Sequence, residues 1–301
     1  MTEILGKYWS NELSSCRLSR GFALRLATAL LTAYLTLING LCCLYVHQLI
    51  HPVCPPPTSE QPGFETLTLL TGAGNNLTGW WHTPQNGAVI LLIGGHAANR
   101  DAMLGEATLL ASKGFGTMTL DARHCAGQLV TLGYDEKKDL MEMATYARSR
   151  SPLARLGVMG FSTGGTAAIL GTAEMPQIEA VIAIGNYSNL REEIRTPPAS
   201  FPSLRWQVQQ LIPIYYTLFT GILPRNVSPQ DALPLISPRP VLLIHGEYEI
   251  QSSGGRDQLA AAGEPKELWI VPGAGHGGYS QTQPQAFEQR VTDFFEEHLV
   301  P

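Results

Sequence analysis

Apolar and polar residues follow two different periods along this chain, one typical of strands and one of helices. Short, almost continuous apolar runs indicate strands buried on both faces. Two further segments flank a glycine-rich turn and predict an antiparallel hairpin. The predicted strands cover residues 65–71, 77–82, 88–93, 115–120, 156–159, 178–184, 241–245 and 267–271.

Helical periodicity fills the stretches between many of these strands. Residues 101–113, 135–150 and 284–299 place apolar side chains on one stripe, and the second of these has acids early and arginines late. Strands that alternate with helices predict an α/β fold, a mostly parallel sheet with helices on both faces. The alternation stops at about 187–235, where we expect a helical cap insertion over the active site; a plain crossover on the sheet edge is the alternative.

The N-terminal region has a different pattern, because residues 26–46 contain no charged side chain. As a helix this segment would span roughly 30 Å, the thickness of a hydrocarbon core. Arg17, Arg20 and Arg25 precede it, and the next lysine or arginine is Arg100. The positive-inside rule therefore predicts a single-pass membrane protein with the N-terminus in the cytoplasm and the remainder extracytoplasmic. A signal peptide and a buried helix are the alternatives.

These patterns divide the chain into four parts. We expect a cytoplasmic segment at 1–25, a transmembrane helix at 26–46, a proline-rich linker at 47–63 and one catalytic domain at 64–301. A net charge of −5 and the absence of basic runs beyond the N-terminal flank argue against a nucleic-acid partner. The five cysteines form no CxxC pair, so no metal site is expected. Whether Cys54 and Cys125 form a disulfide stays open.

Candidate chemistry centres on Gly-Phe-Ser-Thr-Gly at 160–164, which follows a predicted strand and precedes a helix-like segment. In that context Gly-x-Ser-x-Gly indicates a nucleophile elbow with Ser162 as nucleophile. The glycines are needed because side chains at 160 and 164 would crowd the neighbouring strand and helix.

A serine hydroxyl needs a base and a carboxylate that orients it, in the chain order Ser, acid, His. His276 lies in a glycine-rich loop after the last predicted strand and is the preferred base; His245 and His298 are less suitable. The acid is expected in the loop after the strand 241–245. Glu247 and Glu249 compete there, with Asp257 as an outsider.

Residues 64–299 resemble the α/β-hydrolase superfamily, whose members often have His-Gly-x-x-Asp at the position of His245 to Glu249. The resemblance favours Glu249 as the acid, with Glu in place of Asp. It also implies an oxyanion hole built from the backbone N–H groups of Thr163 and His96. The loop at Asp121 and Arg123 is similar to that of BEM46-like and dienelactone-hydrolase-like members, where we expect a structural brace.

The expected function is therefore that of a membrane-anchored serine hydrolase that cleaves carboxylic esters or thioesters through a Ser-His-Glu triad and an acyl-enzyme, without a cofactor. Its expected partners are a small-molecule ester or acyl substrate and the lipid bilayer. A serine peptidase on the same fold and a non-catalytic binding module are the alternatives. Aromatic residues of the cap are expected to contact the substrate: Trp206, Tyr215, Tyr216 and Phe219.

Overall fold

The computed structural model describes residues 20–58, 60–71, 74–195 and 199–301. The predicted cytoplasmic segment 1–25 lies largely outside these residues, as do the tip of the first hairpin and positions 196–198 of the cap. An eight-stranded sheet with the order β1-β2-β4-β3-β5-β6-β7-β8 forms the centre of the molecule. Its strands are β1 (Glu65–Leu70), β2 (Asn76–His82), β3 (Ala88–Ile93), β4 (Gly116–Leu120), β5 (Arg155–Phe161), β6 (Ile178–Ile184), β7 (Val241–Gly246) and β8 (Lys266–Val271).

The first two strands pair antiparallel with each other, and β2 pairs antiparallel with β4. All other pairs are parallel, so the carboxyl ends of β3, β5, β6, β7 and β8 meet at one edge. Loops at that edge are where ligands bind in open α/β sheets. The predicted α/β-hydrolase fold, with its mostly parallel sheet, is therefore confirmed.

Helices cover both faces of this sheet, and their bounds agree closely with the periodic segments of the sequence. Side chains of the central strands alternate between two apolar cores: Val89 and Leu91 of β3 enter one, and Ile90 and Leu92 enter the other. The helices are α1 (Arg20–Ile50), α2 (Leu104–Ser112), α3 (Glu136–Arg150), α4 (Thr163–Glu174), α5 (Leu190–Glu193), α6 (Leu204–Thr220), α7 (Pro229–Ala232), α8 (Gly255–Ala261), α9 (Tyr279–Thr282) and α10 (Pro284–Leu299).

The N-terminal helix α1 is longer than the predicted span and is attached to the domain. It continues to Ile50, so the first residues of the predicted linker are helical. Ile38, Cys42, Val46 and Ile50, which are spaced four residues apart, are all buried, and the last three belong to one core of the domain. Among the described residues, α1 is the one helix long and apolar enough to be a membrane span, and signal sequences meet the same criteria.

The predicted cap region contains α5, α6 and α7 together with short 3₁₀ turns. Its longest helix, α6, begins with Ser203 as N-cap, whose hydroxyl accepts a hydrogen bond from the Trp206 N–H at 3.2 Å. It ends at Gly221, which has a left-handed backbone with φ of 72°. This helix lies against α1, a contact that the sequence did not predict.

Candidate active site

Ser162 occupies the sharp turn between β5 and α4. Its backbone has φ of 55° and ψ of −120°, a conformation that a non-glycine residue rarely adopts. A side chain at Gly160 would overlap the backbone of Gly164, and one at Gly164 would overlap the carbonyl of Ile93. The crowding expected from the sequence is therefore present, and it explains why glycine flanks the serine at both positions.

His276 and Glu249 complete a chain of hydrogen bonds that begins at Ser162. The Oγ of Ser162 lies 3.1 Å from Nε2 of His276, and Nδ1 of His276 lies 2.7 Å from Oε2 of Glu249. Glu249 is buried, with 7% of its surface exposed, whereas the imidazole side chain is about half exposed. This arrangement can move a proton from a serine hydroxyl to a histidine that a carboxylate orients.

The electrostatics of the pair follow from these contacts. Burial raises the pKa of Glu249, but hydrogen bonds from His276, the Gly246 N–H and Tyr279 outweigh burial and lower that pKa below its usual value. The hydrogen bond to Glu249 raises the pKa of His276 above its usual value, more strongly than burial lowers it. The carboxylate therefore stays ionised and stabilises the protonated imidazole.

The alternative acids and bases lie elsewhere. Oε2 of Glu247 accepts a hydrogen bond from the Gly273 N–H at 2.8 Å, and Asp257 is exposed on α8. His245 is fully buried at the end of β7, 3.0 Å from the hydroxyl of Ser253, and burial lowers its pKa to about 4. His298 lies on α10 with its ring edge against Phe294.

Three residues support the site without having been singled out in the sequence. Tyr279 donates a hydrogen bond to Oε1 of Glu249, on which the Gly246 N–H also converges at 2.8 Å. The ring of Phe161 stacks on the ring of His276, with 5.1 Å between centroids. Gly185 directly follows β6, and a Cβ added to it would lie 3.3 Å from the imidazole of His276. Of these three residues, only Phe161 has a signal in the sequence, because it directly precedes Ser162.

The expected oxyanion donors lie beside the serine. Thr163 is the first residue of α4, and N–H groups in the first turn of a helix have no partner within it. His96 lines the same cavity as Ser162 and Thr163, and its Nε2 lies 2.7 Å from the carbonyl of Leu49 on α1. Its imidazole is thus directed at the N-terminal helix.

Two cavities meet at Ser162. The larger has a volume of about 250 Å³, is mainly apolar and is called the apolar cavity. The smaller has a volume of about 190 Å³ and is lined by His276, Glu249 and, besides Ser162, two further serines. Residues of α1, α5 and α6 all line the apolar cavity, so part of the region 187–235 forms one wall of the site. The apolar cavity is lined by Tyr45, Leu49, His96, Leu132, Ser162, Thr163, Tyr187, Leu190, Glu193, Ile194 and Ile212.

The aromatic residues expected to contact substrate do not line either of these two cavities. Tyr216 is fully buried and donates its hydroxyl to the Thr131 carbonyl at 2.8 Å. Tyr215 donates to Asn39 of α1 at 2.8 Å. Trp206 packs edge-on against Phe201, and Phe219 lies against Tyr215. Of these four residues, Tyr215 contacts α1 directly, and Phe219 packs beside it.

The loop after β4 is braced by ion pairs with residues outside the loop. Asp121 pairs with Arg100 at 2.8 Å, whereas Arg123 pairs with Asp135 at 3.3 Å and Asp139 at 3.1 Å. The same loop holds Cys125, which forms a disulfide with Cys54. His124 lies close to both sulfur atoms, but sulfur atoms joined in a disulfide are not thiolate ligands for a metal.

Comparison with known proteins gives the same architecture. The model of the prolyl oligopeptidase family matches residues 129–301, more than half of the chain. An uncharacterized protein of Pseudomonas aeruginosa, PA2218, is 40% identical over 84 residues, which are 28% of this chain and only 23% of that protein. The uncharacterized protein YfhR of Escherichia coli O157:H7 is 25% identical over 78% of this chain and 79% of its own length.

Solved structures share the fold at low identity. An esterase of Pyrococcus furiosus, Pf2001, superposes with a TM-score of 0.65 at 22% identity, over 82% of this chain and 98% of its own. A dienelactone hydrolase of Anabaena variabilis has a TM-score of 0.55 at 21% identity, over 80% of this chain and all of its own. At such identities the likeness extends to the fold alone.

Proposed function

The chain belongs to the prolyl oligopeptidase family, within the α/β-hydrolase superfamily, and from that premise we propose that it is a serine hydrolase of carboxylic esters or thioesters. Membership supports hydrolase activity in general. The observation that supports the specific reaction is the hydrogen-bonded series Ser162, His276 and Glu249 at the carboxyl edge of the sheet.

In the proposed reaction, Ser162 Oγ attacks the substrate carbonyl carbon while its proton passes to Nε2 of His276. The carbonyl electrons form an oxyanion, which the N–H groups of Thr163 and His96 stabilise. Collapse of this intermediate breaks the bond to the leaving alcohol or thiol, which takes the proton from His276. Water then attacks the acyl-enzyme by the same steps, giving the free acid and the original serine. Glu249 orients the imidazole and stabilises its charge.

A fluorophosphonate probe tests the nucleophile directly, because it reacts with activated serines. Wild-type protein should be labelled, and Ser162→Ala should lose the label together with esterase activity. Ser149→Ala, which alters a surface hydroxyl on α3, is the matched control and should be labelled like the wild type. Labelling that persists in Ser162→Ala would reject Ser162 as nucleophile.

A peptidase is the second candidate, favoured by the family to which the chain belongs and by one carboxylate. Glu193 lines both cavities at Ser162, a position from which it could pair with a substrate amine. A panel of p-nitrophenyl esters set beside aminoacyl anilides separates the two activities. If anilides with a free amine are preferred, and Glu193→Gln abolishes that preference, the peptidase proposal replaces the esterase.

We also propose that α1 anchors the protein and that the catalytic domain is extracytoplasmic. The arginine-flanked apolar helix and the Cys54–Cys125 disulfide support this orientation, since disulfides persist in oxidising compartments. The buried stripe on α1 favours an anchor over a cleaved signal peptide, because cleavage would remove part of the core. Protease added to intact cells should digest the domain; protection of the domain would contradict the orientation.

A further inference from the structure

The C-terminal end of α1 forms one wall of the apolar cavity beside Ser162. Tyr45 and Leu49 line that cavity together with the nucleophile. The end of the helix is fixed there by its own backbone, because the Leu49 carbonyl lies 2.7 Å from His96 Nε2 and the Ile50 carbonyl accepts from the Val130 N–H at 2.9 Å. The helix that resembles a membrane span is therefore also part of the substrate cavity.

The cap helix α6 supplies another wall and runs along α1 in the same direction. Ile212 of α6 lines the cavity. Tyr34 donates a hydrogen bond to Gln207 Oε1, and Tyr215 donates to Asn39 Oδ1, both at 2.8 Å. Residue numbers increase along both helices from the first pair to the second, so the helices run parallel. The start of α6 therefore lies beside the apolar middle of α1, many residues before α1 ends at Ile50.

The outer surface shared by these helices is apolar. Exposed residues on α1 include Leu30, Leu31 and Leu37, and on α6 Leu204, Ile214 and Leu218 fall within one side of the helix. From residue 194 to 230 the sequence contains three arginines and no acidic residue. An apolar helix face with aromatic and arginine residues nearby is typical of segments that lie in a membrane interface.

The position of α6 selects the bilayer as the occupant of this surface. Any hydrocarbon layer that surrounds α1 at Tyr34 also reaches α6 at Gln207, because the two side chains are hydrogen-bonded. The helices then lie partly in the leaflet next to the domain, and the same two helices supply Tyr45, Leu49 and Ile212 to the wall of the apolar cavity. Seven of the eleven residues that line this cavity are aliphatic or aromatic, and that part of the wall suits a hydrocarbon chain.

We propose that the substrate is an ester whose long apolar acyl chain enters the apolar cavity from the bilayer, between Tyr45 and Leu49 of α1 and Ile212 of α6. The inference rests on the proposed ester hydrolysis and adds its substrate class. It gives α1 two roles, membrane attachment and selection of the acyl chain.

A variant that fills the apolar cavity tests whether the acyl chain of the substrate occupies it. The full-length protein in phosphatidylcholine vesicles is assayed with p-nitrophenyl acetate and p-nitrophenyl decanoate. Leu49→Trp should lower kcat/KM for the decanoate about tenfold or more relative to the acetate, since each excluded methylene removes favourable burial. Leu41→Trp, on the exposed side of α1, should leave the ratio unchanged. Equal effects of Leu49→Trp on both esters would overturn the proposal.

A charged residue on the outer surface of α6 tests whether this surface lies in the bilayer and whether the substrate enters from there. Leu218→Glu should reduce decanoate hydrolysis in vesicles at least about fivefold while acetate hydrolysis changes little, because a carboxylate opposes seating in the leaflet. Leu153→Glu, at a 95% exposed site, is the control. If Leu218→Glu instead lowers the oligomeric state and slows both esters equally, the surface binds a second copy and the proposal fails. Fluorophosphonate labelling separates these results from failure of the catalytic assignment, since it does not require a long chain.

Discussion

At the residue scale, the site depends on how Glu249 is held. Its Oε1 accepts from the Gly246 N–H and the Tyr279 hydroxyl, which leaves Oε2 for His276. Each of these bonds favours the ionised carboxylate, so the acid remains charged although it is buried. A carboxylate fixed in this way prevents the imidazole from rotating and determines which nitrogen faces Ser162.

Glu249→Gln should lower kcat/KM for a short ester by about 10³- to 10⁴-fold, because the amide no longer stabilises the imidazolium. It should also move the acid limb of the pH profile. Glu249 raises the pKa of His276, and the base acts only when unprotonated, so wild-type activity is lost as the pH falls through that raised pKa. In the variant the limb should shift to lower pH. Glu247→Gln should leave the limb in place, and a shift there would transfer the role of acid.

Gly185→Ala should impair catalysis by displacing His276. The added Cβ would lie 3.3 Å from the imidazole and would overlap the Tyr279 hydroxyl, and the backbone has φ of 59°. We expect a loss of about ten- to a hundredfold in kcat/KM, since small displacements of a catalytic group are costly. Gly105→Ala, in open space on α2, is the control. Unchanged kinetics in Gly185→Ala would show that His276 tolerates the displacement.

These residues also show the limit of sequence reasoning at this scale. Ser162, His276 and Glu249 could be singled out because each follows a strand whose period is visible in the chain. Tyr279 and Gly185 could not, because each is near the triad only through tertiary packing. A tyrosine and a glycine in loops have no local signature for contact with a carboxylate or an imidazole formed elsewhere in the chain.

At the element scale, the sequence predicts the bounds of the strands and of α10 closely, but it does not predict the contact between α1 and α6. Buried strands give continuous apolar runs whatever their neighbours. An apolar helix has the same sequence signature whether lipid or protein covers it, so the buried stripe on α1 could not be separated from its exposed face. For the same reason, the sequence does not distinguish cap aromatics that contact substrate from those that pack within the protein, as Tyr215 does when it donates to Asn39 of α1.

The Cys54–Cys125 disulfide should stabilise the attachment of α1. It joins the segment after α1 to the loop after β4 across a sequence separation of 71 residues. Replacing both cysteines with serine should lower the free energy of unfolding by about 2–4 kcal/mol, chiefly by freeing the unfolded chain. Urea unfolding in detergent measures the change, and Cys43→Ser, at a free cysteine on α1, is the control. Equal stability of the double variant and the wild type would contradict a structural disulfide.

At the scale of the whole molecule, acid should destabilise the fold through His245. Burial lowers its pKa to about 4 from an ordinary value of 6.5. Between these values the unfolded chain binds a proton that the folded protein does not. Stability is therefore full above about pH 6.5 and is lost as the pH falls towards 4, by roughly 3 kcal/mol in total.

The contribution of His245 can be isolated by comparing urea unfolding at pH 7.5 and pH 4.5 in the wild type and His245→Asn. Asparagine retains a polar partner for the Ser253 hydroxyl but does not titrate, so the variant should lose most of this pH dependence. His298→Asn, at the far end of α10, should retain this pH dependence.

The imidazole of His245 lies two strands from the nucleophile and at the base of the loop that holds Glu249. Acid unfolding that begins there would release the Glu249 carboxylate first, so the proposed esterase activity should fall before the global unfolding signal. Loss of both signals together would place the weakest part of the fold elsewhere.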